Sequence, residues 1–296
     1  MAAMMRKSLF KQTYVDAAGK TKNMPAAYVL ENTNRGYGYS GTLSMNMRPT
    51  EALSLMAAYT HTVSKEITGM PGSNASSVLN YIGTVYGPND PGLHNSEYVT
   101  PNRFVASATI NDKSGNHFSF IYESWRGGAN YSYMTSNDMN GDGYNYDLIY
   151  IPATADEVKW ASPQDAENFF AFVEQDEYLS AHKGQYAEAN SVYAPWTHRI
   201  DFRYSHDFKI RTGKHTNVLQ LNVDIKNAGN IFNSKWGVSK GWSQEANGGK
   251  ILVLDKVENN VPVFKSGVAA GAQTWSYQTG IGQCWYASVG IKYMFN

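Results

Sequence analysis

Asp138-Met139-Asn140-Gly141-Asp142-Gly143-Tyr144, followed by Asp147, is the stretch whose residue types and spacing best suit chemistry. Asp138, Asn140 and Asp142 fall at alternating positions and Gly143 stands sixth. That matches the first half of an EF-hand calcium loop, where oxygens converge on one cation and glycine permits the sharp turn. The twelfth position, where a bidentate Glu belongs, is Ile149, so the full loop is absent. Asp147, at position ten, is placed to substitute. Three carboxylates within ten residues repel one another without a counter-ion. An ordinary turn whose Asn and Asp side chains cap their own backbone explains the same residues. Both readings stand: a Ca2+ set of Asp138, Asn140, Asp142, Tyr144 and Asp147, or a self-capped turn.

Nothing else suggests a reaction centre, and the chain is not expected to be an enzyme. The seven His residues are scattered, with no pair at the helical spacing of metal ligands and no Gly-rich nucleotide loop. Strand alternation puts Arg199 and Asp201 on the opposite face from His198, which argues against an acid–base unit. Cys284 is the single cysteine, so a disulfide framework and a Cys-based zinc site are excluded. No nearby positive charge activates its thiol. Trp125, Tyr131, Tyr133, Trp160, Tyr193, Trp196, Trp236, Trp242 and Trp275 suit sugar or peptide capture. Interface anchoring and loop self-packing explain them equally well.

The frame that positions these residues can be read from composition and periodicity. The chain has 296 residues, 25 basic and 25 acidic, and zero formal net charge. That balance argues against nucleic acid as a partner and against a polybasic membrane-surface module. Mean hydropathy is −0.45, and no run approaches the roughly 18 apolar residues of a spanning helix. The 21 Tyr, 12 Phe and 7 Trp favour strands and interfaces. Arg6, Lys7, Ser8, Lys11 and Gln12 interrupt any secretory-signal core near the start. The expectation is either a cytosolic protein or the downstream part of a longer chain.

Alternation decides between these. Tyr37, Tyr39, Gly41, Leu43, Met45 and Met47 share one strand face, with Gly38, Ser40, Thr42, Ser44 and Asn46 on the other. The same period-2 pattern covers 53–63, 103–110, the strand opened by Phe118, 199–208, 219–226 and 285–295, with a first strand expected at about 4–15. Connections 48–52, 111–116 and 209–216 are short and polar. Segments 16–35, 64–101, 127–196 and 227–283 are long. Strict alternation of short and long connections describes an outer-membrane barrel, with short periplasmic turns and long extracellular loops. Tyr37, Tyr59, Tyr122, His198, His206, Tyr293 and Phe295 flank the apolar faces, where membrane interfaces favour such residues.

Several stretches resemble the carboxy-terminal part of Bacteroidetes TonB-dependent outer-membrane receptors. They are Asn34–Gly41, Ala57–Thr62, Asn140–Gly143 leading into Asp147–Pro152, Asn227–Asn233, and the ending Gly290–Asn296. The last resembles the terminal signal read by the barrel-assembly machinery, with one Asn beyond the usual final aromatic. The resemblance spans about residues 30–296. It implies a 22-strand barrel plugged by an amino-terminal domain and powered through TonB, of which residues 1–296 supply only the C-terminal part, without the plug. Its implied partners are outer-membrane lipid, the missing barrel and plug of the same receptor, TonB through that plug, and a surface lipoprotein.

The expected fold is therefore all-β: a partial antiparallel transmembrane β-barrel of about eight membrane strands, with long extracellular loops and one short loop helix. Its lipid face carries Leu43, Met45, Leu55, Phe104, Phe118, Phe202, Leu221, Val223, Val289 and Ile291, with Arg203 and Asp224 facing the lumen. Ser162 as cap, Pro163 and Asp165 place the helix at 162–182, either as packing over the barrel mouth or as an aromatic lid. The expected function is part of an active importer in the bacterial outer membrane, for a scarce or bulky ligand. The alternatives are a passive porin-type channel or a soluble carbohydrate-binding β-module.

Overall fold

The computed structural model describes residues 2–7, 12–24, 28–69, 72–128, 130–135, 137–140 and 144–295. Its body is one antiparallel sheet. The strands are β1 (Tyr37–Met47), β2 (Leu53–Glu66), β3 (Asn102–Asn111), β4 (Asn116–Arg126), β5 (Thr197–Thr212) and β6 (His215–Lys226). An inserted hairpin follows, β7 (Leu252–Glu258) and β8 (Val261–Ser266), before the closing strand β9 (Tyr286–Met294). Neighbours run β1-β2-β3-β4-β5-β6-β9, and the two-residue strand His94–Asn95 pairs with the end of β2. Three hairpin turns lie at one end of this meander, and insertions 67–101, 127–196 and 227–285 lie at the other.

Local chemistry fixes the hairpins. Asp112 Oδ1 accepts from the backbone N–H groups of Ser114 and Asn116 at 2.9 and 2.8 Å, closing the β3–β4 turn. Gly115 there has φ +90°, and a Cβ would stand 2.9 Å from the Asp207 carbonyl oxygen. Gly213, at φ +63°, opens the two-residue β5–β6 turn, as primed hairpin turns require.

Register sorts the two faces. Met45 lies opposite Ala57, Leu55 opposite Ala108, Phe120 opposite both Ala108 and Phe202, and Tyr204 opposite Val223. Leu221 and Val223 in turn face Ile291 and Val289. Leu43, Met45, Leu55, Phe104, Phe118, Phe202, Leu221, Val223, Val289 and Ile291 thus share one face, and Arg203 lies opposite Asp224 on the other.

Burial runs against the pattern of a water-soluble sheet, which packs its apolar face on a second layer. The buried residues of these seven strands are Ser124, Thr197, Ser205 and Asn217, all polar. Leu43, Val289 and Ile291 are 79%, 70% and 74% exposed. The main hydrophobic core lies instead within the insertions: Tyr133, Ile149, Ile151, Phe169, Phe172, Val173, Leu179, Val192, Ile251, Leu252 and Phe264.

Two expectations need correction. In place of a single sheet strand followed by a long loop, Ala2–Lys7 pairs with Tyr28–Thr33, and Gln12–Val15 with Thr21–Met24, outside the main sheet. The physical reason is the 16–20 turn, where Asp16 Oδ1 accepts from the Ala18 and Lys20 N–H groups, both at 3.0 Å. The single loop helix is really several short ones, α1 (Ala75–Asn80), α2 (Pro163–Gln175) and α3 (Glu177–Ala181), with Asp176 breaking the segment expected to be continuous. The sheet is open: among the described residues β1 and β9 have no strand on their outer edges and no closed barrel forms. Among the described residues no helix is long and apolar enough to cross a membrane, which says nothing of crossing by strands.

Candidate functional site

The three insertions meet around a cavity of about 390 Å³. Its aromatic walls are Tyr81 and Tyr98 from the first insertion, Tyr131 and Tyr146 from the second, and Trp242 from the third. Polar groups converge on it from Glu66, at the end of β2, and from Glu97, Asn130, Ser132 and Asn190. Tyr81 and Tyr146 meet edge to face, centroids 5.4 Å apart, while Tyr131 packs on Trp242 at 4.9 Å. Trp242 is stacked against Trp275 at 5.1 Å, so the back wall is braced by the insertion core. Burial holds the Tyr131 and Tyr146 phenols above their usual range. Aromatic surface with a few convergent polar groups is the usual make-up of a small-molecule site.

The Tyr98 ring also borders a groove of about 680 Å³ on the polar face of the sheet, lined by Thr60, Thr62, Ser64, Arg103, Glu123 and Trp125. This face is laced by side chains. Ser40 and Thr62 meet at 3.1 Å, and Thr42 and Thr60 at 2.9 Å. Arg103 pairs with Glu123 at 2.6 Å, Lys226 with Asp201 at 2.7 Å and Arg203 with Asp224 at 3.6 Å. Cavity and groove adjoin at Tyr98, where the insertions meet the polar face of β2–β4.

The 138–147 turn adjoins the cavity through Tyr146. Asp142, with Gly141 and Gly143, lies outside the described residues. Asp138, Asn140, Tyr144 and Asp147 are described, and Asp147 is the organiser. It is buried, and its carboxylate accepts from the Met139 N–H at 2.6 Å and from Asn140 Nδ2 at 3.2 Å. Its backbone carbonyl accepts from the Thr135 N–H at 2.8 Å. Those bonds are what a side-chain-capped turn requires. Among the described residues no group of three or more His, Cys, Asp or Glu is gathered for a metal.

Other candidates separate cleanly. His198 meets the Tyr122 hydroxyl at 2.7 Å and the Ser124 hydroxyl at 2.9 Å. Arg199, on the other face, lies over the Trp125 ring at 5.4 Å, and Asp201 is engaged with Lys226. The three therefore form no acid–base unit. Cys284 is exposed. Ser162 caps α2 by accepting from the Asp165 N–H at 3.2 Å, as its sequence position implies. In α2, Phe169, Phe172 and Val173 are core, and no residue of α2 or α3 lines this cavity.

Of the aromatic residues singled out in the sequence, Tyr131 and Trp242 line the cavity, and Tyr133 and Trp275 support them. Tyr81, Tyr98 and Tyr146 carry no such signal, because they sit in irregular segments without periodicity. Comparison with family models, curated proteins and solved structures finds no match.

Proposed function

We propose that the chain is part of a TonB-dependent outer-membrane importer of a scarce or bulky ligand. The observation that carries this reading is the burial pattern of the seven-strand sheet: none of its apolar residues is buried, several are exposed, and the main hydrophobic core lies in the insertions at one end. Hydrocarbon is the solvent that suits such a face. Strand lengths of 9 to 16 residues fit as well. Tyr37 to Met47 spans roughly 34 Å at about 3.4 Å per residue, or roughly 26 Å across a bilayer at a tilt of about 40°.

The open edges β1 and β9 are the places where further strands of the same receptor add, since unpaired edges aggregate. Energy comes from TonB through the plug, the insertions face outward, and the polar face borders the lumen. In the 138–147 turn a calcium ion would serve to stiffen an extracellular loop, performing no chemistry.

The reading frame immediately upstream tests the importer. A frame encoding a plug supports it; a stop codon and an unrelated gene overturn it in favour of a passive channel. Full solubility of the chain without detergent overturns the membrane location itself and favours the soluble module.

A further inference from the structure

We propose that the cavity between the three insertions receives an organic cation, an ammonium group carried by the ligand. The proposal rests on the reading that the insertion end faces the ligand, and it does not require transport. Five aromatic side chains and two carboxylates, Glu66 and Glu97, line the cavity, and neither Lys nor Arg does among the described residues. Aromatic faces carry a negative quadrupole that attracts a cation within about 6 Å, most strongly when it sheds water. An anion entering here meets two like charges with no Lys or Arg in the described wall to answer them. A neutral guest desolvates both carboxylates and returns at most hydrogen bonds without charge compensation.

The detail of the wall agrees. Glu97 lies beside the Tyr98 phenol, whose hydroxyl is held above its usual range by the charge of that carboxylate. Tyr98 is 72% exposed and so stands at the rim, where an entering cation first meets ring and carboxylate together. Gly69 leaves room for the second carboxylate, since a Cβ there would stand 2.6 Å from Glu66 Oε1. His94 adds no free ring nitrogen, because Nδ1 lies 2.9 Å from the Asn95 carbonyl oxygen and Nε2 3.0 Å from that of Ile67. Asn130, only 6% exposed, borders the cavity. Its amide nitrogen donates to the Ser96 and Val99 carbonyls at 3.0 and 3.1 Å, while its Oδ1 has no partner.

The test uses the full chain in detergent micelles, with choline as the probe and 3,3-dimethylbutan-1-ol as its neutral isostere. Calorimetric titration is expected to show saturable choline binding and about tenfold weaker binding of the isostere. Glu66→Gln and Glu97→Gln should each weaken choline several-fold and leave the isostere unchanged. Equal binding of the two probes, or no choline binding, overturns the proposal on the wild-type chain alone, so it does not depend on the variants folding. Gln variants that fold and bind choline like wild type overturn it as well. Choline discrimination in a chain that is fully soluble without detergent would remove the importer reading and keep the cation site.

Discussion

The Tyr133 phenol donates to the buried carboxylate of Asp176 at 2.8 Å, across 43 residues of sequence. The same Oδ2 accepts from the Thr274 hydroxyl at 2.8 Å, and Oδ1 caps α3 through the Tyr178 and Leu179 N–H groups at 3.0 and 2.9 Å. One carboxylate therefore joins the helical part of the second insertion to the third, directly behind the Trp242 wall of the cavity. Burial first, and the Asp176 charge second, hold the Tyr133 phenol far above its ordinary range, so it remains a donor at any working pH.

Asp176→Ala should cost about 3 kcal/mol, because two buried hydroxyls and two helix N–H groups lose their acceptor. Tyr133→Phe should cost about 1 kcal/mol, since Thr274 still satisfies the carboxylate. Thermal unfolding followed by near-ultraviolet circular dichroism reads both, and equal effects would contradict the hub.

Acid should loosen the contact between the 159–160 strand and β8. Glu258 sits between Lys159 and Lys256, and hydrogen bonds from the two ammonium groups pull its pKa from 4.5 down to about 2. A carboxyl depressed in the folded state contributes its full stabilisation above the unfolded value and loses it as pH falls through the folded one. Hydrogen-exchange protection at Val263 and Phe264, which pair with Lys159 and Trp160, taken relative to the intrinsic rate at each pH, should fall between pH 4.5 and 2. Glu258→Gln should abolish that pH dependence.

Ala106 and Ser107 are neighbours on opposite faces of β3, opposed respectively by Ala57 and Tyr122 and by Met56 and Ile121. Lysine at 106 should cost about 2–4 kcal/mol in a bilayer, while lysine at 107 should stay within about 0.5 kcal/mol. Urea unfolding from liposomes measures the gap, and equal costs would contradict two different solvents on the two faces.

Calcium titration separates the two readings of the 138–147 turn. A binding heat present in wild type and lost in Asp142→Ala identifies a cation loop. Identical heats leave the turn to the bonds that Asp147 makes to Met139 and Asn140.

Period-2 alternation made the sheet legible, because a one-residue slip would move a whole strand's apolar set to the other face. Phe120 and Phe202 share a face by that constraint, while their lying opposite each other, with centroids 5.0 Å apart, is a register that alternation leaves open. The 2–33 pairing was not legible, since its return strand has weak alternation and its turn depends on Asp16 capping two backbone N–H groups. The cavity was half legible. Tyr131 and Trp242 stood out as loop aromatics, but Glu66, Glu97 and Tyr98 are brought together only by contacts among the insertions. Asp176 broke the expected helix because its side chain caps the next one, a local bond that hydrophobic spacing does not encode.

The most direct measurement places spin labels singly at Phe202 and Arg203, adjacent residues on opposite faces of β5, in the lipid-reconstituted chain. The label at 202 should be reached by a lipid-soluble quencher and shielded from a water-soluble one, and the label at 203 should show the reverse. Equal accessibility at the two positions would contradict a membrane-facing sheet.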